Sequence, residues 1–90
     1  MYRKIEITKS FRKDIQKLRF LDEHYTKYII YISNLLQNIS LPPEALDHPL
    51  KGEWMSYREF HISGDLLVIY KLTEETLYLV RIGSHSQLFD

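Results

Sequence analysis

The stretch YREFHISGDLLVIYKL, residues 57–72, decides the fold of this chain. Polar and apolar residues alternate from Trp54 to Ile62, as in a half-buried β-strand. Leu66 to Lys71 is an almost unbroken apolar run, which is typical of a central strand buried on both faces. The short polar sequence SGD, residues 63–65, separates the two runs and suits a tight turn. The stretch therefore predicts an antiparallel hairpin at the centre of a sheet.

The segments on either side extend this hairpin into an α+β fold. Residues 76–82 alternate again after the turn TEE at 73–75, and residues 2–8 form an alternating N-terminal run; both predict strands. After residues 2–8, Phe11, Ile15 and Leu18 have the spacing of one helical face. A longer stretch of the sequence with the same helical spacing follows them.

The second helix is predicted to begin with Asp22 as its cap and to end near Asn38. Pro42 and Pro43 prevent continuation, and a loop is expected up to Gly52. The predicted order is β-α-α-β-β-β. Two N-terminal helices should pack on a small, mainly antiparallel sheet.

Length and composition place this fold in one domain covering residues 1–90. With 44% hydrophobic residues, the chain can bury a core without metal or disulfides, and it has no cysteine. No apolar run approaches the roughly 20 residues of a membrane span. We therefore expect a cytoplasmic protein that does not enter membranes.

Charge is unevenly distributed although the formal net charge is zero. Residues 1–20 hold seven Lys and Arg against two acidic residues, whereas the remainder holds five against ten. A basic N-terminal segment can attract nucleic acid, and a solvated helix face is the alternative interpretation. The candidates for contact with RNA or the ribosome are Lys9, Arg12, Lys13, Lys17 and Arg19.

Five ionisable residues fall where the predicted sheet would bring them together. His61 and Asp65 bracket the first hairpin, and His48 precedes its first strand. Arg81 and His85 end the last strand and can approach the same sheet edge if that strand pairs beside the hairpin. His24, near the start of the second helix, is interpreted as an ordinary surface residue.

This combination suits RNA cleavage through the 2′-hydroxyl. That reaction needs a base for the hydroxyl proton, an acid for the leaving 5′-oxygen, and positive charge on the phosphate. Imidazoles titrate near pH ~6.5 and can serve as acid or base. Arg81 can bind phosphate oxygens in a bidentate manner, and Phe89, on a mobile arm, could stack on a base.

A metal site is the competing chemical interpretation of the same region. The ligand types present are Asp47, His48, His61, Asp65 and His85. They come from separate segments, and no compact motif such as H-E-x-x-H occurs. We therefore expect acid-base work without metal or cofactor.

The chain resembles the RelE/ParE superfamily of bacterial toxins, and most closely the YafQ-like branch of type II toxin–antitoxin systems. The resemblance covers nearly the whole chain and rests on DHPLKGEW (47–54), YREFHISGDLLVIYKL (57–72) and RIGSHSQLF (81–89). It implies an mRNA interferase that enters the ribosomal A site and cuts the message without metal, thereby inhibiting translation. It also implies a cognate antitoxin, for which the apolar stripe around Ile30 and Tyr31 is a possible docking surface; packing in the core is the alternative for most of that stripe.

The resemblance also assigns site residues. It places catalytic histidines at His48, His61 and His85, an acidic residue at Asp65, a phosphate-binding arginine at Arg81 and a terminal aromatic at Phe89. The base is expected to be His85 or Asp65, and the acid His61 or His48. The alternatives are a ParE-like gyrase inhibitor on the same fold and a catalytically silent protein that binds only antitoxin.

Overall fold

The computed structural model describes residues 2–89, so the first and last residues of the predicted 1–90 domain lie outside the described residues. The strands and helices are β1 (Lys4–Ile7), α1 (Lys9–Lys17), α2 (Asp22–Leu36), β2 (His48–Pro49), β3 (Arg58–Ser63), β4 (Leu66–Leu72), β5 (Thr76–Gly83) and α3 (His85–Phe89). The five strands form one sheet in the order β1-β5-β4-β3-β2. Among the strands of residues 2–89, only the β1–β5 pair is parallel. The predicted α+β class and the mainly antiparallel sheet are confirmed.

Two elements were absent from the predicted order. The strand β2 lies inside the predicted loop and pairs antiparallel with β3. The helix α3 takes the place of the predicted mobile arm. Both are too short to show a hydrophobic period, so the pattern alone could not indicate them. Asp22 is the first residue of α2 rather than its cap, since Leu21 occupies the cap position without a side-chain hydrogen bond.

The main core lies between the helices and one face of the sheet. Helix residues Phe11, Ile32 and Leu35 pack with sheet residues such as Phe60 and Val68. Because successive residues of a strand point to opposite faces, β4 presents Val68 and Tyr70 to this core. Burial of these side chains is the main driving force that holds the helices on the sheet.

The predicted docking stripe on α2 is divided between core and surface. Tyr31 is only 3% exposed and makes an edge-on contact with Phe60, so it belongs to the core. Ile30 is 50% exposed and Ile29 is 49% exposed. Of the two interpretations of the stripe, core packing holds for Tyr31, while Ile30 is available to a partner.

The opposite face of the sheet carries a second, smaller core. Leu67 and Ile69 of β4 pack there with Leu88 of α3. Trp54 and Phe89 are partly buried against them. This face, rather than the helix-covered one, holds the histidines, and we call it the open face.

At the edge of the sheet, α1 lies along the part of β5 that extends beyond the end of β1. Thr8 accepts the N–H of Phe11 at 3.0 Å as the cap of α1, and its hydroxyl donates to the carbonyl of Val80 at 2.8 Å. The carboxylate of Asp14 then accepts the N–H of Ile82 at 3.1 Å. Backbone groups of β5 that lie beyond the end of β1 are thereby satisfied by side chains.

Among the described residues, no helix is both long and apolar enough to cross a membrane.

Candidate active site

Two of the predicted histidines are joined by a carboxylate that the sequence analysis did not single out. His48 lies opposite Glu59 in the β2–β3 register, and His61 follows Glu59 by two residues on the same face. The Nε2 atoms of His48 and His61 each lie 2.9 Å from Oε2 of Glu59. We call these three residues the histidine–glutamate cluster.

The hydrogen-bond partners in this cluster assign donor roles to the rings. Nδ1 of His48 lies 2.9 Å from the carbonyl oxygen of Pro49, and its Nε2 faces the Glu59 carboxylate. Both neighbours are acceptors, and only the doubly protonated imidazole donates from both nitrogens. Each ring nitrogen of His48 therefore has an acceptor beside it when it carries a proton.

Burial makes Glu59 an unusual carboxylate. It is 3% exposed, whereas the side chain of His48 is 51% exposed and that of His61 is 19% exposed. Its Oε1 atom is buried without a hydrogen-bond partner among the described residues. A buried carboxylate needs cationic or hydrogen-bonding partners to offset its desolvation. The imidazoles of His48 and His61 are the partners of Glu59, and the hydrogen bonds to its carboxylate orient both rings.

The third predicted histidine belongs to a second group, the tail cluster, which consists of Asp65, His85 and Phe89. Oδ1 of Asp65, at the β3–β4 turn, accepts the backbone N–H of His85 at 3.3 Å. The rings of His85 and Phe89 lie 4.8 Å apart. Phe89 also meets Trp54 edge-on at 6.0 Å, so it is packed in place, and the prediction of a mobile aromatic is wrong.

The sequence around α3 explains why the tail is folded. Ser84 and Gln87 cap the helix reciprocally, with the N–H of Ser84 donating to Gln87 Oε1 at 2.9 Å and the N–H of Gln87 donating to Ser84 Oγ at 3.3 Å. A Cβ atom at Gly83 would lie 2.9 Å from Gln87 Oε1. A side chain at Gly83 would therefore displace the Gln87 amide that caps α3.

Both clusters lie on the open face. His61 pairs with Leu67, and Leu67 pairs with Gly83, two residues before His85. Gly83 thus lies two strand spacings, roughly 10 Å, from His61 across the sheet. The structure brings His48 and His61 together, and it brings Asp65, His85 and Phe89 together, as two groups on one face.

Arg81 joins neither cluster. Its Nε and Nη2 atoms donate to the two carboxylate oxygens of Asp14 at 2.7 and 3.1 Å. These hydrogen bonds raise the pKa of Arg81. The pair lines a cavity of about 260 Å³ together with Lys17 and Gln87. Arg81 thus links α1 to the sheet edge beside α3, and its predicted contact with phosphate remains a prediction.

The five residues predicted to contact RNA or the ribosome are all exposed. Four of them lie on α1 and Arg19 lies just beyond it. They are Lys9, Arg12, Lys13, Lys17 and Arg19. Their exposure is what contact with RNA requires, and a solvated helix face would show it equally.

Asp47, which the metal interpretation included as a ligand, takes part in a separate hydrogen-bond network on the helix-covered face of the sheet. Its Oδ1 atom accepts hydrogen bonds from the hydroxyl of Tyr70 and from Nε of Arg58, the latter at 3.3 Å. Burial, and then the hydrogen bond to Asp47, raises the pKa of Tyr70 well above its usual value. The hydroxyl therefore stays protonated as a donor.

The histidine–glutamate cluster has the composition of a metal site. One ligand atom from each of its three residues lies within 4.8 Å of the others. Two imidazoles and a carboxylate suit Zn²⁺ or Cu²⁺. Asp65 and His85, which completed the metal interpretation from sequence, are not part of this group.

Glu59 and Trp54 are the residues that sequence reasoning missed at the site. Glu59 precedes His61 by two positions in an alternating strand, so the period of two places both on one face. That signal was present in the sequence. Burial of Glu59 and its proximity to His48 depend on strand pairing and were not visible.

Two imidazole groups and a buried carboxylate thus lie on one open face of an α+β sheet. Residues 3–90 match the family described as the bacterial toxin of type II toxin–antitoxin systems, YafQ. The chain belongs to this family.

Relatives of known structure and name share nearly the full length of the chain. It is 40% identical to the mRNA interferase toxin YafQ of Escherichia coli K12, covering 97% of this chain and 96% of that protein. The E. coli DinJ–YafQ toxin–antitoxin complex contains a chain with TM-score 0.85 and 35% identity, with full coverage of both. A metal-bound toxin from Helicobacter pylori has TM-score 0.84 and 40% identity, covering 99% of this chain and 100% of that one. The E. coli relatives are named mRNA interferases, which are endoribonucleases.

Proposed function

We propose that this protein is a ribosome-dependent toxin that cleaves mRNA in the A site, in the cytoplasm, through the 2′-hydroxyl of the substrate. The observation that carries the proposal is the placement of two separate imidazole groups on one open sheet face. His48 and His61 share a buried carboxylate, and His85 stands in the tail cluster. Cleavage through the 2′-hydroxyl needs an acid and a base on opposite sides of one phosphate.

In this proposal the histidine–glutamate cluster supplies the acid. Both ring nitrogens of His48 lie beside acceptors, and Nε2 rather than Nδ1 of His61 meets Glu59. His85, exposed and next to Asp65, takes the proton of the 2′-hydroxyl. Phe89 offers its ring to a base of the substrate, since unstacked RNA bases bind aromatic side chains.

Positive charge for the phosphate and the ribosome comes from the edge of the sheet. Arg81 stands beside α3, and Lys17 lies in the same cavity. The exposed cations of α1 extend this charge outward and suit contact with ribosomal RNA. These contacts position the protein but do not themselves select a codon.

A cognate antitoxin is the proposed partner outside the ribosome. The structures of E. coli DinJ with YafQ support this pairing. In this chain Tyr25, Ile29 and Ile30 leave about half of their surface exposed on α2. Such exposed apolar residues on one helix are suited to burial by a partner chain.

The test is primer extension on one message in a bacterial translation extract with purified protein. Messages with and without a start codon are compared for wild type, His61→Ala, His85→Ala and the control His24→Ala. Cuts that require the start codon, and that vanish in the first two variants alone, are expected. Cuts in the untranslated message would contradict ribosome dependence.

Primer extension, together with a gyrase supercoiling assay, distinguishes this function from the gyrase inhibitor and from the silent antitoxin-binding protein. Cleavage that persists in both His61→Ala and His85→Ala would overturn the assigned chemistry. Absence of any cut by the wild-type protein, together with inhibition of gyrase supercoiling, would favour the gyrase inhibitor. Absence of both activities would favour the silent antitoxin-binding protein.

A further inference from the structure

A row of aromatic rings leads away from the tail cluster along the open face. Phe89, which touches the ring of His85, meets Trp54 at 6.0 Å, and Trp54 meets Tyr57 edge-on at 5.5 Å. The Nζ atom of Lys71 lies 5.9 Å from the centre of the Tyr57 ring. We call the three rings of Phe89, Trp54 and Tyr57 the aromatic track. It runs from the tail histidine to an exposed lysine.

The track ends at a cavity of about 370 Å³ that the proposed chemistry does not use. Its lining consists of Thr8, Tyr57, Lys71, Thr73, Tyr78 and Val80. Tyr78 pairs with Lys71 across β4 and β5, so their side chains share a face. We call this space the tyrosine cavity.

The tyrosine cavity and the histidines lie on the same face of the sheet. Lys71 follows Leu67 by four residues on β4, and Leu67 pairs with His61. Four residues of a strand span about 13 Å. A nucleic-acid strand advances about 3.4 Å per nucleotide when stacked and more when extended. The distance therefore corresponds to roughly two to four nucleotides.

The chemistry of the cavity fits a nucleotide of single-stranded RNA. Tyrosine rings offer stacking surfaces to a base, and an exposed ammonium group suits a backbone phosphate. Glu6 lies opposite Tyr78 in the β1–β5 register, but Nζ of Lys4 is 3.9 Å from its carboxylate. The nearby negative charge is thus offset by a second lysine.

We infer that the tyrosine cavity is a subsite for a nucleotide of the message that lies two to four positions from the bond to be cut, reached along the aromatic track. This inference rests on the proposed cleavage of RNA. The subsite gives the enzyme a second binding site for the RNA, separate from the histidines. Substrates long enough to reach Lys71 and Tyr78 should bind more tightly than shorter ones.

The first test measures binding without cleavage. Fluorescent 2′-O-methyl oligonucleotides of mixed sequence, from two to eight nucleotides long, are titrated with Lys71→Gln, Tyr78→Leu and the control Lys27→Gln. Affinity should rise once the strand reaches the cavity. Lys71→Gln and Tyr78→Leu should each lose about fivefold or more of that gain, while Lys27→Gln retains it.

A second measurement uses the wild-type chain and needs no variant to fold. Oligonucleotides carrying 5-iodouridine are irradiated with the protein, and the crosslinked peptides are mapped by mass spectrometry. Crosslinks to Tyr57 or Tyr78 support the subsite. Crosslinks confined to α1, equal affinities for all lengths, or no binding at all would overturn it.

Failure of the subsite and failure of the proposed function give different results. If His85→Ala abolishes cleavage while Lys71→Gln and Tyr78→Leu bind and cut as the wild type does, the function stands and the subsite falls. If the wild-type protein cuts no message but its binding depends on Lys71 and Tyr78, the subsite stands as an RNA-binding site. The proposed function then falls.

Discussion

Replacing Asp14 by alanine should destabilise the fold more than any other change of an acidic side chain on α1 or α2. The Asp14 carboxylate accepts three hydrogen bonds, two from the guanidinium of Arg81 and one from the N–H of Ile82. The side chains of Asp14 and Arg81 are 16% and 28% exposed, so water screens the pair only in part. The substitution removes all three bonds and leaves the N–H without a partner.

The magnitude follows from these contacts. A hydrogen bond to a charged group contributes about 1.5–3 kcal/mol, and exposed ion pairs contribute about 1 kcal/mol or less. Because this pair is partly buried and bidentate, we expect a loss of about 3 kcal/mol in the free energy of unfolding. With a urea m-value of about 2 kcal/mol/M for a domain of this size, the midpoint should fall by about 1.5 M.

The assay is urea unfolding followed by the fluorescence of Trp54, with Glu74→Ala as the matched control. Glu74 is an exposed residue of the β4–β5 turn, and its replacement should change stability by less than about 0.5 kcal/mol. A double-mutant cycle with Arg81→Ala should give an interaction energy of at least about 1 kcal/mol. The reasoning is refuted if Asp14→Ala shifts the midpoint no further than Glu74→Ala.

Three further predictions concern the site. Glu59→Gln should reduce the rate of cleavage at least tenfold, with less effect on binding of the message, because the imidazoles lose a charged acceptor. Replacement of the exposed Glu53 by Gln serves as the control. Equal cleavage rates for both variants would contradict the role of Glu59. Ser84→Ala should cost about 1 kcal/mol in urea unfolding through loss of the α3 cap, and an unchanged midpoint would show that the cap contributes nothing. Zn²⁺ or Cu²⁺ should bind the histidine–glutamate cluster and inhibit cleavage. Calorimetry should show that His61→Ala no longer binds the metal. Undiminished cleavage at saturating metal would contradict this expectation.

Several features of the fold could be predicted because they follow from short-range patterns. The alternation around Phe60 and the unbroken run at 66–71 reflect the period of two and the burial of a central strand. The helical period of α2 and the two prolines after it set the length of the second helix. Thr8 or Ser10 could be expected to cap the first helix, and Thr8 occupies the cap of α1. Each of these signals spans only a few residues.

The candidate site was foreseen in part, and mostly through resemblance to a family. Chain order and the hairpin turns suggested that His61, Asp65 and His85 approach one sheet edge, but the sequence did not divide them into two groups. The division follows from the β2–β3 register, which places His48 on Glu59, and from α3, which holds His85 against Asp65. A five-residue helix has no visible period.

Tertiary structure alone decided which charges meet. Asp14 and Arg81 are 67 residues apart in the chain and pair because α1 covers the edge of β5 where β1 ends. Glu59 is a strand residue whose burial depends on the neighbours that the register supplies. The sequence by itself determined α1, α2, the four longer strands and their order, since these depend on local periodicity; it did not determine β2 and α3. Long-range pairing of strands and helices determined the partners of Arg81, Glu59 and His85, because such contacts depend on register and packing rather than on neighbouring residues.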